Sequence, residues 1–119
     1  NNCSIGSNCT IDRAKIDITI IDDYCMLDNL IHVGHNVHLN NNTTIAAQTG
    51  ISGSVIIDEN VIIGGQVGLA GHLKIGRDSV IAAKSGVTKS VKPKSIVAGF
   101  PAIDIKKWKK MIVKLKTWT

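Results

Sequence analysis

The amino-acid sequence predicts an all-β chain wound as a narrow triangular prism of six-residue repeats, with a basic α-helix at its C-terminal end. Three observations predict it. An aliphatic residue recurs every six positions, the interior this implies is almost free of aromatic rings, and positive charge gathers in the last third of the chain. Of the 119 residues, 44% are hydrophobic but only 3% aromatic. A core with so few rings must be built from small and branched aliphatics, which suits thin stacked architecture.

The period is explicit. Stepping by six from Ile21 reaches Leu27, Val33, Leu39, Ile45, Ile51, Ile57, Ile63, Leu69, Ile75, Ile81 and Val87. The position after each aliphatic is small or turn-forming, as in Asp22, Gly34, Asn40, Ala46 and Gly64. Four residues after each aliphatic comes a second, mostly small slot, filled by Cys25, Val37, Thr43, Thr49, Val55, Val61, Val67, Ser79 and Ser85. Neither a 3.6-residue period nor simple alternation produces this pattern. One short strand and one turn per hexad does, with three hexads closing a triangular coil and side chains eighteen apart stacking at the strand spacing of ~4.8 Å. Ile5 and Ile11 obey the same rule four residues out of phase, so an insertion is expected within about residues 12–20.

Residues 1–93 are therefore expected to form the repeat prism and 94–103 a linker, since Gly99-Phe100-Pro101 breaks the pattern. Residues 104–118 are expected as an amphipathic basic helix capped by Asp104, with Ile105, Trp108, Ile112 and Leu115 at helical spacing. Its apolar stripe is expected to pack on the prism or a neighbouring subunit rather than on a membrane.

The net charge of +5 is unevenly spread. Residues 1–83 hold four Lys/Arg against eight Asp/Glu, whereas residues 84–119 hold ten Lys and one acid, Asp104. The basic tail points to an acidic partner or surface. Nucleic acid is a poor candidate, because neither a recognised motif nor a stacking platform accompanies the charge. No apolar run approaches the ~20 residues of a membrane span, and no signal-peptide pattern opens the chain, so a cytoplasmic setting is expected. The odd set Cys3, Cys9 and Cys25 argues against a disulfide scaffold. All three fall in the small slot, where a thiol acts as an apolar filler.

His32, His35 and His38 look like a metal site until the repeat is applied. On a prism, His32 and His38 take equivalent positions about a third of a turn apart, expected at turn corners, and His35 takes another, so the three do not converge on one ion. Below His35 the pattern stacks Gly53 and then Gly71, followed by His72. A turn histidine over two glycines leaves a groove where a ligand can approach the backbone closely. The backbones of His35 and His72 are expected on the order of 10 Å apart.

The six-residue pattern resembles the left-handed parallel β-helix of the hexapeptide-repeat proteins, and the resemblance supplies the handedness. The segments "LDNLIHVGHNV", "GISGS", "IGGQVGLAGHLKIG" and "SGVTKSV" resemble the C-terminal half of the UDP-3-O-acylglucosamine N-acyltransferases, enzymes of lipid A biosynthesis. The resemblance runs through nearly all of residues 1–101. It implies transfer of a 3-hydroxyacyl chain from acyl carrier protein, by its phosphopantetheine arm, to the amine of a UDP-amino sugar lipid precursor. It implies no other cofactor, no metal, and a homotrimer with sites shared between subunits.

Carried over by position, His35 matches the family's general base, a role that suits a neutral imidazole. Gly53 matches the backbone N–H that stabilises the thioester oxyanion. His72, with Gly71 before it, matches a second histidine that binds substrate or the pantetheine arm, and Asp28 and Asn29 match polar residues that orient substrate or base. Gly86 falls near the region that limits acyl-chain length, where a glycine would leave room for a longer chain. The family's N-terminal uridine-binding domain has no counterpart in these 119 residues.

Two alternatives stand beside this reading, one a related acyltransferase and the other a metal enzyme. Another hexapeptide acyltransferase, using acetyl-CoA, would share the G-x-P-A segment at Gly99 to Ala102. A β-helical zinc carbonic anhydrase would use histidines like His35 and His72, but its third ligand should fall at position 77, which is Arg. The D-N…H-N-V run favours the N-acyltransferase.

Overall fold

The computed structural model describes residues 2–13 and 18–117. Strands of two residues alternate with two-residue turns from Ser4 onward, so each hexad contributes one side of a triangle. In each strand one residue points out and the next points in; in Ile62–Ile63, the first is exposed and the second is 1% exposed. Two residues are too few for a helix-like face, and parallel pairing with the coils above and below satisfies the backbone instead.

The strands stack into three parallel faces. The first face carries Ser4–Ile5, Met26–Leu27, Thr44–Ile45, Ile62–Ile63, Val80–Ile81 and Ile96–Ala98, and ends on the antiparallel strand Ile103–Asp104. The second carries Thr10–Ile11, His32–Val33, Gly50–Ile51, Gly68–Leu69 and Gly86–Val87. The third carries Ile20–Ile21, His38–Leu39, Ile56–Ile57 and Lys74–Ile75. The molecule is accordingly elongated, 50 × 26 × 24 Å.

The interior is the three ladders that the period predicts. Leu27, Ile45, Ile63 and Ile81 stack in register, as do Val33, Ile51, Leu69 and Val87, and Leu39, Ile57 and Ile75, all at most 3% exposed. The small slot is buried as well. Thr43 and Ser85 satisfy their hydroxyls locally by donating to Asn40 O and Ala82 O, at 2.8 and 2.7 Å. Each full ladder residue removes enough apolar surface to contribute about 1.5–3 kcal/mol. Truncating one leaves a void between two coils that cannot collapse without breaking register. Ile63→Ala is therefore expected to cost about 2–5 kcal/mol, read as a lower urea midpoint with an unchanged slope; a cost under ~1 kcal/mol would mean the coils relax around the gap.

The corners carry the strain. Every sixth residue from Tyr24 to Lys84 has φ between 57° and 63° although none is glycine. That region is uncommon for residues with a Cβ. It is held here because the corner N–H donates to the carbonyl one coil back, as in Asn42 to Asp23 O at 3.1 Å and Ser54 to His35 O at 2.9 Å.

Two departures interrupt the period. Ile5 pairs with Leu27 and Ile11 with Val33, both twenty-two apart rather than eighteen, because of four extra residues in the expected insertion. The centre of that insertion, residues 14–17, lies outside the described residues. The second departure falls in the segment expected as a linker. Ile81 pairs with Val97, sixteen residues on, and Ile75 bridges to Val91. Two residues are missing from the repeat after Val87, so stepping by six loses Val91 and Val97 although both are largely buried. The wall of the prism thus continues to Ala98, where the chain reverses into the antiparallel strand Ile103–Asp104.

The helix α1, Ile105–Thr117, is capped as expected: Lys106 N–H donates to Asp104 Oδ1 at 3.0 Å. It contacts the last two strands of the first face. Gly99, at φ +93°, both makes the bend and admits Trp108, since a Cβ there would stand 2.7 Å from the indole Cδ1. Among the described residues no helix is long and apolar enough to cross a membrane.

Candidate active site

The outward residues of the second face, in order down the prism, are Thr10, His32, Gly50, Gly68 and Gly86. Three stacked glycines leave the floor of this face bare; a Cβ on Gly50 or Gly68 would meet no atom within 4 Å. The result is a groove of about 670 Å³ running along the prism axis. Asp12 and His32 stand at one end, His35 and Gly53 on one rim, Gln66 and Lys84 on the other, and Phe100 at the far end. The ladder Gly50, Gly68, Gly86 is legible as three glycines eighteen apart, but attention to the interior aliphatics passes over it because it belongs to the position just before them.

His35 occupies a corner, exposed, with its ring lying against Gly53 one coil on; a Cβ on Gly53 would collide with His35 Nε2. The other ring nitrogen, Nδ1, lies 3.3 Å from Asn36 Oδ1. An amide oxygen can only accept, so in this orientation the proton sits on Nδ1 and Nε2 keeps its lone pair. Asn36 is held in turn: its N–H donates to Thr19 Oγ1 at 2.9 Å. Asn36 is part of the H-N-V segment, yet the spacing of the repeat marks it only as a turn residue.

At Gly53, as at Ala47, Gly65 and Ala83 in the same corner position, the backbone N–H has no acceptor among the described residues; what sets Gly53 apart is the His35 ring lying against it. The matching corner residues Ser7 and Asp23 donate their N–H to the next coil's side chain, to Asn29 Oδ1 at 2.7 Å and Asn41 Oδ1 at 3.0 Å. For Gly53 the residue one coil on is Gly71, which has no side chain, and among the described residues its N–H has no acceptor. A Cβ on Gly71 would stand 3.3 Å from Gly53 O, a tight contact that the corner would have to ease by a few tenths of an ångström. An uncommitted N–H beside an unprotonated imidazole nitrogen is the pair that acyl transfer needs, one to hold the oxyanion and one to take the proton.

The remaining candidates are dispersed. Gly71 and His72 lie one coil beyond Gly53, outside the groove lining; His72 is exposed at φ 62° and donates its N–H to Gly53 O at 3.1 Å. Asp28 and Asn29 sit at the corner between the first and second faces, and neither lines the groove. Asp28 Oδ1 accepts Asn29 N–H at 2.8 Å, and Asn29 Oδ1 is the cap of Ser7, as turn residues. Gly86 does line the groove, but the space over it is taken by the Phe100 ring, which a Cβ on Gly86 would strike. The expected room for a longer chain is thus filled from a residue fourteen positions later in the chain.

The corner assignment of His32 and His38 is corrected. Both lead strands and point outward from flat faces. Each meets an aspartate of the previous coil, His32 Nε2 with Asp12 Oδ2 at 3.3 Å and His38 Nε2 with Asp22 Oδ2 at 2.9 Å. His38 is on the third face, while His32 shares the groove with His35. Among the described residues no three His, Cys, Asp or Glu side chains converge as a metal site would require. Burial pushes the Cys25 thiol above its ordinary range, so it is not primed as a thiolate nucleophile.

The comparisons with known proteins fit this geometry. No family model matches the chain. It is 52% identical over 111 residues to the UDP-3-O-acylglucosamine N-acyltransferase of Campylobacter jejuni subsp. doylei, covering 93% of this chain and 35% of that protein. It is 42% identical over 112 residues to UDP-3-O-acylglucosamine N-acyltransferase 2 of Sulfurimonas denitrificans, again 93% of this chain and 35% of that protein. The chain is a homologue of part of these N-acyltransferases. It spans about a third of the length of the relatives it matches, their C-terminal third. Among solved structures, the UDP-N-acetylglucosamine O-acyltransferase of Moraxella catarrhalis superposes with a TM-score of 0.78 at 25% identity, over 87% of this chain and 43% of that one. That similarity supports the hexapeptide β-helix as the shared fold.

Proposed function

We propose that this chain carries the acyl-transfer centre of an N-acyltransferase of lipid A biosynthesis, moving a 3-hydroxyacyl chain from acyl carrier protein to the 2-amine of UDP-3-O-acylglucosamine. The observation that carries the reading is the His35 ring, with its Nε2 lone pair, set against Gly53 and its unused N–H. The sugar amine attacks the thioester carbonyl carbon and forms the new C–N bond. His35 Nε2 takes the proton the amine sheds, while Gly53 N–H holds the negative oxygen of the tetrahedral intermediate. Collapse breaks the C–S bond, and the imidazolium returns its proton to the departing pantetheine sulfur. No covalent enzyme intermediate is required.

Three features support the partners that go with this reading. The exposed lysines of α1, Lys106, Lys107, Lys109, Lys110, Lys114 and Lys116, suit steering of an acidic carrier protein. On the first face Met26, Ile62 and Ile96 point outward and are 57%, 51% and 48% exposed, a ridge that complements the bare glycine floor of the second face. That ridge set alongside the groove of a second copy, with the groove left open between them, would be a heterologous contact of the kind that closes into a ring such as a homotrimer. Asp28 and Asn29, beside that ridge, would then meet the groove of the neighbouring copy.

The test is direct. The protein at its natural full length, given a 3-hydroxyacyl-loaded carrier protein and UDP-3-O-acylglucosamine, should release free carrier thiol and an N-acylated sugar detected by mass spectrometry. Transfer from acetyl-CoA with none from the carrier protein would instead favour the acetyltransferase reading.

A further inference from the structure

The groove is polar at one end and bare at the other. Toward Phe100 its floor is Gly68, Gly86 and an aromatic ring. At the opposite end His32 and Asp12 stand together, their side chains 50% and 45% exposed and their nearest atoms 3.3 Å apart. His32 stacks directly over Gly50, so the imidazole faces open groove rather than a neighbouring side chain. A carboxylate oxygen accepts only, so beside a neutral His32 it favours the proton on Nε2 and leaves the Nδ1 lone pair free, although the contact lacks the alignment of a hydrogen bond. No partner of Nδ1 is found among the described residues.

We propose that His32, oriented by Asp12, is a binding residue for the acceptor, accepting a hydrogen bond from a hydroxyl of the amino sugar at Nδ1. The inference rests on the N-acyltransferase reading, and three physical points carry it beyond that reading. First, His32 and His35 share the groove, and three residues of near-extended chain put their backbones on the order of 10 Å apart. That distance suits an imidazole at the reacting amine and another at a second group of the same sugar ring. Second, an alkyl chain gains by lying over glycine and phenylalanine, whereas a polyhydroxylated ring gains by meeting fixed hydrogen-bonding groups. The donor's chain therefore belongs to the Phe100 end and the acceptor to the His32 end, with His35 and Gly53 on the rim beside that end. Third, a carboxylate beside the ring biases its orientation, so less rotamer freedom is lost on binding. His32 moves no proton in the reaction.

The experiment is steady-state kinetics on the full-length protein, varying donor and acceptor separately. His32→Ala is expected to raise the acceptor KM about tenfold, equivalent to ~1.4 kcal/mol of binding, with the donor KM and kcat nearly unchanged. His32→Gln, which still offers an oxygen acceptor, should recover most of the loss. Asp12→Ala should raise the acceptor KM with His32 intact. A rise in donor KM instead, a fall in kcat at constant acceptor KM, or no change in any variant would overturn the assignment. A wild-type protein that acylates no amine removes the functional reading and this inference with it. An active wild type with an unmoved acceptor KM removes this inference alone.

Discussion

Replacing His35 by alanine is expected to lower kcat for N-acylation by about 10²–10⁴-fold, the range over which a positioned general base contributes. The fold should survive, because the ring is exposed at a corner and its removal opens no cavity in the aliphatic ladders. Circular dichroism and substrate KM values provide the controls: the first should be unchanged and the second should move far less than kcat. Near-wild-type turnover in His35→Ala would remove the assigned role. Zinc bound in stoichiometric amount and tracking activity would redirect attention to metal-assisted chemistry.

The second large effect is expected from a single methyl group. Gly53→Ala places a Cβ where His35 Nε2 now lies, and the ring must move. Displacement of a catalytic group by about 1 Å can cost on the order of 10²-fold, and the added methyl also crowds the open N–H. Stability should change little, since Gly53 lies outside the positive-φ region and touches the ladders through backbone alone. Turnover measured beside a crystal structure of the variant checks both halves of the claim. A displaced ring with undiminished kcat would show that His35 is not the base; an undisplaced ring would show that the corner yields more readily than its hydrogen bonds suggest.

The prism was legible in the sequence because its interior is periodic: every aliphatic from Ile21 to Val87 repeats one environment, so the pattern and the packing are the same statement. Where the period slips, legibility fails. Val91 and Val97 continue the core, but a two-residue deletion hides them from a count of six. The candidate site divides along a similar line. The stack of His35 on Gly53 on Gly71 follows from register alone. The side-chain partners of these residues do not, because a ring torsion, such as the one that brings His35 to Asn36 or His32 to Asp12, leaves no periodic trace. The closure of the groove by Phe100 depends on a chain reversal beyond the repeats, so only the folded chain reveals it.

The stacked glycines of the second face also give the groove a unit of length. Between His35 and Phe100 the floor advances one glycine per coil, each step fixed at ~4.8 Å by the backbone bonds between strands. A substitution on the floor can block the groove part-way but cannot stretch it. Lengthening requires eighteen residues inserted together, a whole coil that restores all three ladders, whereas one or two extra residues would only bulge a corner. Ligand size in such a scaffold is therefore set digitally, by the number of complete turns between His35 and the ring that ends the channel.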